Sequence, residues 1–158
     1  MADDDEAGVS TDASQGTALW LGDGTCAGGG ASDAAHRYST LTSKALGLVE
    51  ANHAATGVGF ATKPDVCSQV DTASKLGLAG VTYVFLMAGL ADSYDSLGST
   101  RSTVAAAVRA AAKAWPGARV VAGVAPGCLT GLDDAALECL CSMVLRPVER
   151  LVFSPKER

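Results

Sequence analysis

At 158 residues the chain is one domain's worth of protein, long enough to bury roughly two-thirds of the surface its unfolded form would expose. Apolar residues at 48% and charged residues at 18% exclude a wholly disordered chain and suit a compact fold. A net charge of −5 without any Lys- or Arg-rich run excludes non-specific binding of nucleic acid.

The opening Met1-Ala2-Asp3-Asp4-Asp5-Glu6 is acidic where a secretory signal needs basic and then apolar residues, and no later run approaches the about 18 apolar residues of a membrane span. The expectation is a soluble protein with no signal peptide and no membrane partner. Residues 1–16 are polar and poor in branched apolar side chains, so they read as a flexible acidic arm, with 17–158 as the domain.

The first strand is expected at Thr17–Gly22, feeding a glycine-rich loop that runs to Gly30. Ser32 or Asp33 then caps a helix whose Ala35, Tyr38, Leu41, Ala45 and Leu46 recur at core-facing spacing until Gly47. His36 reads as a half-exposed residue of that helix. Leu48–Ala51 is a short second strand, and the loop 52–64 carries Gly57-Val58-Gly59-Phe60. A helix over Asp65–Leu76 turns Val70 and Ala73 inward and ends at Gly77.

Val81–Ala88 is apolar almost without interruption, as a central parallel strand covered on both faces requires. The loop Gly89–Asp95 follows it at the carboxyl end of the sheet. A helix over Ser99–Trp115 is expected to bury Val104, Val108, Ala112 and Trp115 and to leave Arg101, Arg109 and Lys113 in water. Ala118–Ala125 forms the fourth strand. Thr130 or Asp133 caps a last helix to Leu145, with Leu137, Leu140, Cys141 and Val144 inward, and Glu149–Phe153 offers a fifth strand. The alternation implies a three-layer α/β fold with a mostly parallel sheet of four to five strands.

Five cysteines, Cys26, Cys67, Cys128, Cys139 and Cys141, include no Cys-x-x-Cys pair and no histidine at ligand spacing, so no metal is expected. Cys139 and Cys141 fall on different faces of one helix. The thiols read either as reduced and mostly buried, or as including a disulfide among Cys26, Cys67 and Cys128 if these share one end of the sheet.

Gly22-x-Gly24-x-x-Ala27, with Glu50 near the end of the next strand, fits a dinucleotide fingerprint in outline. That motif needs a helix N-terminus at the phosphate, and Gly28-Gly29-Gly30-Ala31 delays the helix, so no cofactor is expected. From Ala18 onward the layout instead resembles the SGNH/GDSL hydrolases, especially short actinobacterial and phage members. In these a strand ends in Gly-Asp-Ser-x-x-x-Gly before an Ala-His-Arg-Tyr helix. Here Gly22-Asp23-Gly24-Thr25-Cys26-Ala27-Gly28 and Ala35-His36-Arg37-Tyr38 match, except that Gly24 stands at the nucleophile's place.

The resemblance implies that Gly57 or Gly59 matches the glycine donating to the oxyanion hole, and that Gly89-Leu90-Ala91-Asp92 matches Gly-x-Asn-Asp, with Ala91 at the asparagine. No Asp-x-x-His follows the last strand, and His53 has no nucleophile to activate. A flavodoxin-like, SGNH-like domain with no catalytic residue follows, its degenerate pocket made of Asp23, Gly24, Gly57, Gly59, Gly89, Ala91 and Asp92. The implied role is structural or interactive, with a protein partner or a homo-oligomer. The phage likeness points to a virion component such as a capsid decoration protein bound to a capsid protein; a cytoplasmic location is the other possibility. The alternative is a weak esterase or carbohydrate-binding module that holds ligands through Asp23, Asp92 and backbone amides. A Cys26–Cys128 bridge would staple the mouth of that pocket.

Overall fold

The computed structural model describes residues 15–92 and 97–124. Residues 1–14 of the expected arm, the helix 130–145, the strand 149–153, and Cys128, Cys139 and Cys141 lie outside them. Four strands, β1 (Thr17–Gly22), β2 (Val49–Asn52), β3 (Val81–Ala88) and β4 (Arg119–Val124), form one parallel sheet in the order β2-β1-β3-β4. Between them run α1 (Tyr38–Ala45), α2 (Val66–Ser74) and α3 (Leu97–Ala114). The chain is an α/β protein with helices on both faces of the sheet.

Strand order fixes which face each helix covers. From β1 the chain steps to β2 on one side, then returns past β1 to β3 and on to β4. Parallel crossovers are right-handed, so a reversal of direction puts the next helix on the opposite face. Accordingly α2 and α3 bury Val66, Val70, Ala73, Val104, Ala107 and Ala111 against Leu19, Leu21, Val84 and Leu86. On the other face lie Ala18, Trp20 and Phe85. The reversal occurs between β1 and β3, and the carboxyl ends of those two strands are where an open α/β sheet places a ligand crevice.

The expected central strand is confirmed in position: β3 lies between β1 and β4, and Val84, Leu86 and Ala88 are fully buried. α3 is rotated slightly from the expectation. Ala107 and Ala111 face the core, while Ala112 is exposed. Two runs of three alanines, Ala105 to Ala107 and Ala110 to Ala112 on either side of Val108 and Arg109, give periodicity little to discriminate with.

α1 departs from the expectation more sharply. Asp33 does cap, with its Oδ1 accepting from the Ala35 and His36 amides at 2.9 and 3.2 Å. It opens only a single 3-10 turn, Ala34–His36, before Arg37 turns extended at φ −64°, ψ 141° and α1 starts afresh. Tyr38, Leu41 and Leu46, expected inward, are 37%, 52% and 48% exposed, and Ala35 and Ala45 are exposed as well. The buried face carries Ser39 and Ser43 instead.

Hydrogen bonds explain the rotation. Ser43 Oγ accepts from Trp20 Nε1 at 2.9 Å, and the Ser39 and Thr40 hydroxyls each donate to Glu50 at 2.6 Å. Asn52 Nδ2 donates to Ser39 Oγ at 3.0 Å and to the Cys26 carbonyl at 2.8 Å. Turning leucine inward would strand the Trp20 N–H and the Glu50 carboxylate without these partners, a cost larger than that of leaving a leucine wet.

Partial burial would raise the Glu50 pKa, but the Ser39, Thr40 and Asn52 hydrogen bonds outweigh it and hold the carboxyl below its ordinary value. A depressed folded-state pKa contributes stability above the unfolded pKa, and that stability is lost as pH falls through the folded one. Glu50→Gln should therefore flatten the acid limb of a stability-versus-pH curve measured by urea unfolding. An acid limb identical to that of the unsubstituted chain would contradict the assignment.

Candidate functional site

The candidate site is built where β1 and β3 end. Gly22 closes β1 at φ +149°, and the Asp23 amide donates to the Met87 carbonyl at 3.0 Å. A side chain at position 22 would run into that same carbonyl. Glycine is required here by close approach of two backbones.

Asp23, 1% exposed, turns its carboxylate inward. Its Oδ1 accepts from the Thr25 amide at 3.0 Å, the Thr25 hydroxyl at 2.6 Å and the Cys26 amide at 3.4 Å, and its Oδ2 accepts from the Leu90 amide at 3.3 Å. One carboxylate thus folds the glycine loop after β1 and ties it to the loop after β3. Asx turns of this kind follow from a short acidic side chain placed two residues before the amides it caps.

Gly24 sits beside Thr56, whose Oγ1 would lie 3.1 Å from a Cβ added at that position. The Gly24 carbonyl accepts from Gly29 at 2.7 Å, closing the glycine loop on itself. A small side chain at position 24 thus needs a slight yielding of the Thr56 hydroxyl. Thr56 was not singled out by any sequence motif; only proximity in the fold reveals it.

Asp92 is used in the same inward way as Asp23. Its Oδ2 accepts from the Phe60 amide and its Oδ1 from the Ala61 and Thr62 amides, all at 2.8 Å. Successive backbone N–H groups converging on one anion form a nest, and here the anion is supplied by the chain. Ala91 contributes its carbonyl, which accepts from Thr62 Oγ1 at 2.8 Å, and Gly89 accepts from the Asp92 amide at 3.1 Å.

Gly59 is glycine because a Cβ would collide with Asp92 Oδ1. Its amide donates to the Pro64 carbonyl at 3.3 Å and its carbonyl accepts from Val66 at 3.0 Å, so the 59–66 segment is a closed loop. Gly57, at φ +84° with open space around it, lies at the exposed part of the same loop. The structure therefore ties Asp23 to Leu90, sets Gly24 beside Thr56, and brings Gly59 against Asp92. It leaves Gly57 apart.

Asp92→Asn tests the clasp. The amide keeps one acceptor for Ala61 and Thr62 but presents either a second donor or a lost partner to Phe60. The expected cost is about 1–3 kcal/mol, measurable by urea unfolding, with faster hydrogen exchange at the Phe60 amide. Unchanged exchange there would contradict the clasp.

Cys26 is a free thiol with no exposure, its Sγ 3.9 Å from the Leu21 carbonyl. Burial pushes its pKa up to about 12; a hydrogen bond with Tyr38 opposes this, and the Asp23 and Glu50 carboxylates add to it. Such a thiol is neither a nucleophile nor a thiolate ligand. The bridge to Cys128 concerns a residue outside the described ones. Cys67 is likewise free, its pKa raised by burial and by Asp65. Among the described residues no group of three or more His, Cys, Asp or Glu side chains is placed to hold a metal ion.

His53 is exposed, and its amide donates to the Trp20 carbonyl at 2.9 Å. No described helix is long and apolar enough to cross a membrane. No protein-family model matches the chain, and no curated protein or solved structure matches it significantly. At the carboxyl end of the sheet, two acids and one glycine amide that could face a ligand are all bonded within the protein.

Proposed function

We propose that the chain is a non-catalytic SGNH-like domain that serves as a structural or interaction module. A virion component such as a capsid decoration protein is the narrower form of this reading. The observation that carries it is the inward use of the polar groups at the carboxyl end. Asp23 and Asp92 accept seven hydrogen bonds between them, six of them from backbone amides. The Gly59 amide is spent on Pro64, and Gly24 has no atom with which to attack a carbonyl. The loops are fastened to one another rather than arranged around a substrate.

The outer surface of α1 supports the interaction half of the reading. Leu41 and Leu46 stand in water, with Tyr38 partly exposed beside them, because the buried face of the helix is given to serines. Apolar side chains gathered on one exposed element suit contact with another protein.

Hydrolysis and assembly test the two halves separately. With short-chain p-nitrophenyl esters, neither the unsubstituted chain nor Gly24→Ser is expected to turn over above the buffer rate, since a serine alone lacks its general base. Light scattering after size exclusion should find the protein in an assembly or with a partner, and Leu41→Glu should disperse it. Enzymatic turnover by the unsubstituted chain would favour the weak esterase, saturable sugar binding would favour the carbohydrate module, and either overturns the proposal.

A further inference from the structure

β2 is an edge of the sheet, and among the described residues no strand lies beyond it. The Val49 and His53 amides donate toward β1, to the Gly16 and Trp20 carbonyls at 3.0 and 2.9 Å. Successive residues of a strand turn their backbone groups to opposite sides, so Glu50 and Asn52 direct N–H and C=O away from the sheet. Beyond this stretch the edge is closed. The Leu48 amide donates to the Ser43 carbonyl at 2.9 Å, and the Ala54 amide donates to Asn52 Oδ1 at 3.0 Å.

Little in the strand guards these groups. Edges are commonly blunted by lysine or proline, and Val49-Glu50-Ala51-Asn52 contains neither. Its one charge, the Glu50 carboxylate, is held by the Ser39 and Thr40 hydroxyls of α1 at 2.6 Å. Val49 is 51% exposed.

We infer that this edge pairs with the same edge of a second copy, antiparallel about a two-fold axis at Ala51. The pairing rests on the interaction reading above and names its partner. With the axis there, the N–H and C=O of Glu50 meet those of Asn52 of the second copy, and the converse follows by symmetry, so the open groups of both edges satisfy one another. An axis at Glu50 would set two carboxylates opposite, which is destabilising, and would aim Asn52 at a Leu48 amide already bonded to Ser43. An axis at Asn52 would aim Glu50 at an Ala54 amide already bonded to Asn52 Oδ1. Charge and hydrogen bonding thus select one register.

A strand this short needs further burial to hold a dimer. α1 supplies it, because the helix rests chiefly on β2 and the two-fold axis brings it alongside its counterpart in the second copy. Leu41 of α1 and Leu46 just after it, 52% and 48% exposed, are then covered in part by the other helix.

The test is the solution mass of the full chain over a dilution series, by light scattering, with hydrogen exchange at the β2 amides. A dimer is expected, and its formation should slow exchange of the Glu50 and Asn52 amides about tenfold or more, with little change at Ala51, whose amide already faces β1. Val49→Lys, at an exposed position that leaves the fold intact, should weaken the dimer about tenfold. Ala51→Cys should cross-link on oxidation through position 51 of both copies. Opposed residues at the non-hydrogen-bonded site of an antiparallel pair lie about 4.5 Å apart at Cα, within the roughly 4.4–6.8 Å that a disulfide spans. A monomer at every concentration, a dimer whose Glu50 and Asn52 amides exchange freely, or a dimer that does not cross-link at position 51 would overturn the pairing. A monomer that binds a different protein would overturn it and leave the interaction reading standing, whereas ester turnover would overturn that reading whatever the mass.

Discussion

Gly22→Ala is expected to destabilise the protein by about 4 kcal/mol or more, enough to leave little or no folded chain when a domain's whole stability is about 5–15 kcal/mol. Two costs combine. The residue's φ of +149° is one that side chains rarely adopt, and an added Cβ would penetrate the Met87 carbonyl. That carbonyl belongs to the backbone of the central strand and also receives the Asp23 amide, so it cannot retreat without parting β3 from the glycine loop. Gly57→Ala separates the two costs. Its φ is +84° but nothing lies within 4 Å of the added atom, so it should lose only about 1–2 kcal/mol. Urea unfolding of both variants decides the matter. Equal losses would mean that backbone strain alone, and not the approach of β3, governs position 22.

That contrast shows which parts of this molecule are readable in one dimension. β3 was legible because burial on both faces removes the need for polar positions, and Val81–Ala88 has few. β1 ended where its glycine said it would, since a strand that meets another backbone at close range needs the one residue without a Cβ. The site was legible only as a list of positions. Gly22, Asp23, Gly59 and Asp92 were found by motif, yet what Asp92 does depends on the amides of residues 60–62, some thirty positions away, folding back as a nest. No local pattern encodes that.

α1 was misread for a related reason. Leucines at helical spacing normally mark the inward face because apolar burial decides the rotation. Here the sheet beneath the helix offers an indole N–H and a glutamate, and serines at positions 39 and 43 are the small hydroxyl side chains that reach both. Spacing alone registers Ser39 and Ser43 as the wet face. The balance lies in groups contributed by the neighbouring strands, the Trp20 indole of β1 and the Glu50 carboxylate of β2, which the spacing of apolar residues within the helix does not register.

Trp20 is where that balance can be measured. It is 2% exposed, stacks on Phe85 with ring centres 3.9 Å apart and planes inclined by 9°, and meets Tyr38 edge-on at 5.6 Å. Trp20→Ala removes the ring from the β1–β3 core and is expected to cost about 3–5 kcal/mol. Trp20→Phe keeps most of the stack but deletes the indole N–H, leaving the Ser43 hydroxyl without its donor. Ser43→Ala does the reverse, stranding a buried N–H at a cost of about 1–3 kcal/mol. If the Trp20–Ser43 bond orients α1, the two substitutions are strongly non-additive, and the double variant loses less than the sum of the singles. Replacing both polar partners also frees the helix to turn, which Leu41 would report by becoming protected from solvent. Additive losses would assign the orientation of α1 to Glu50 and its two hydroxyl donors instead, and would move the decisive contact from the centre of the sheet to its β2 edge.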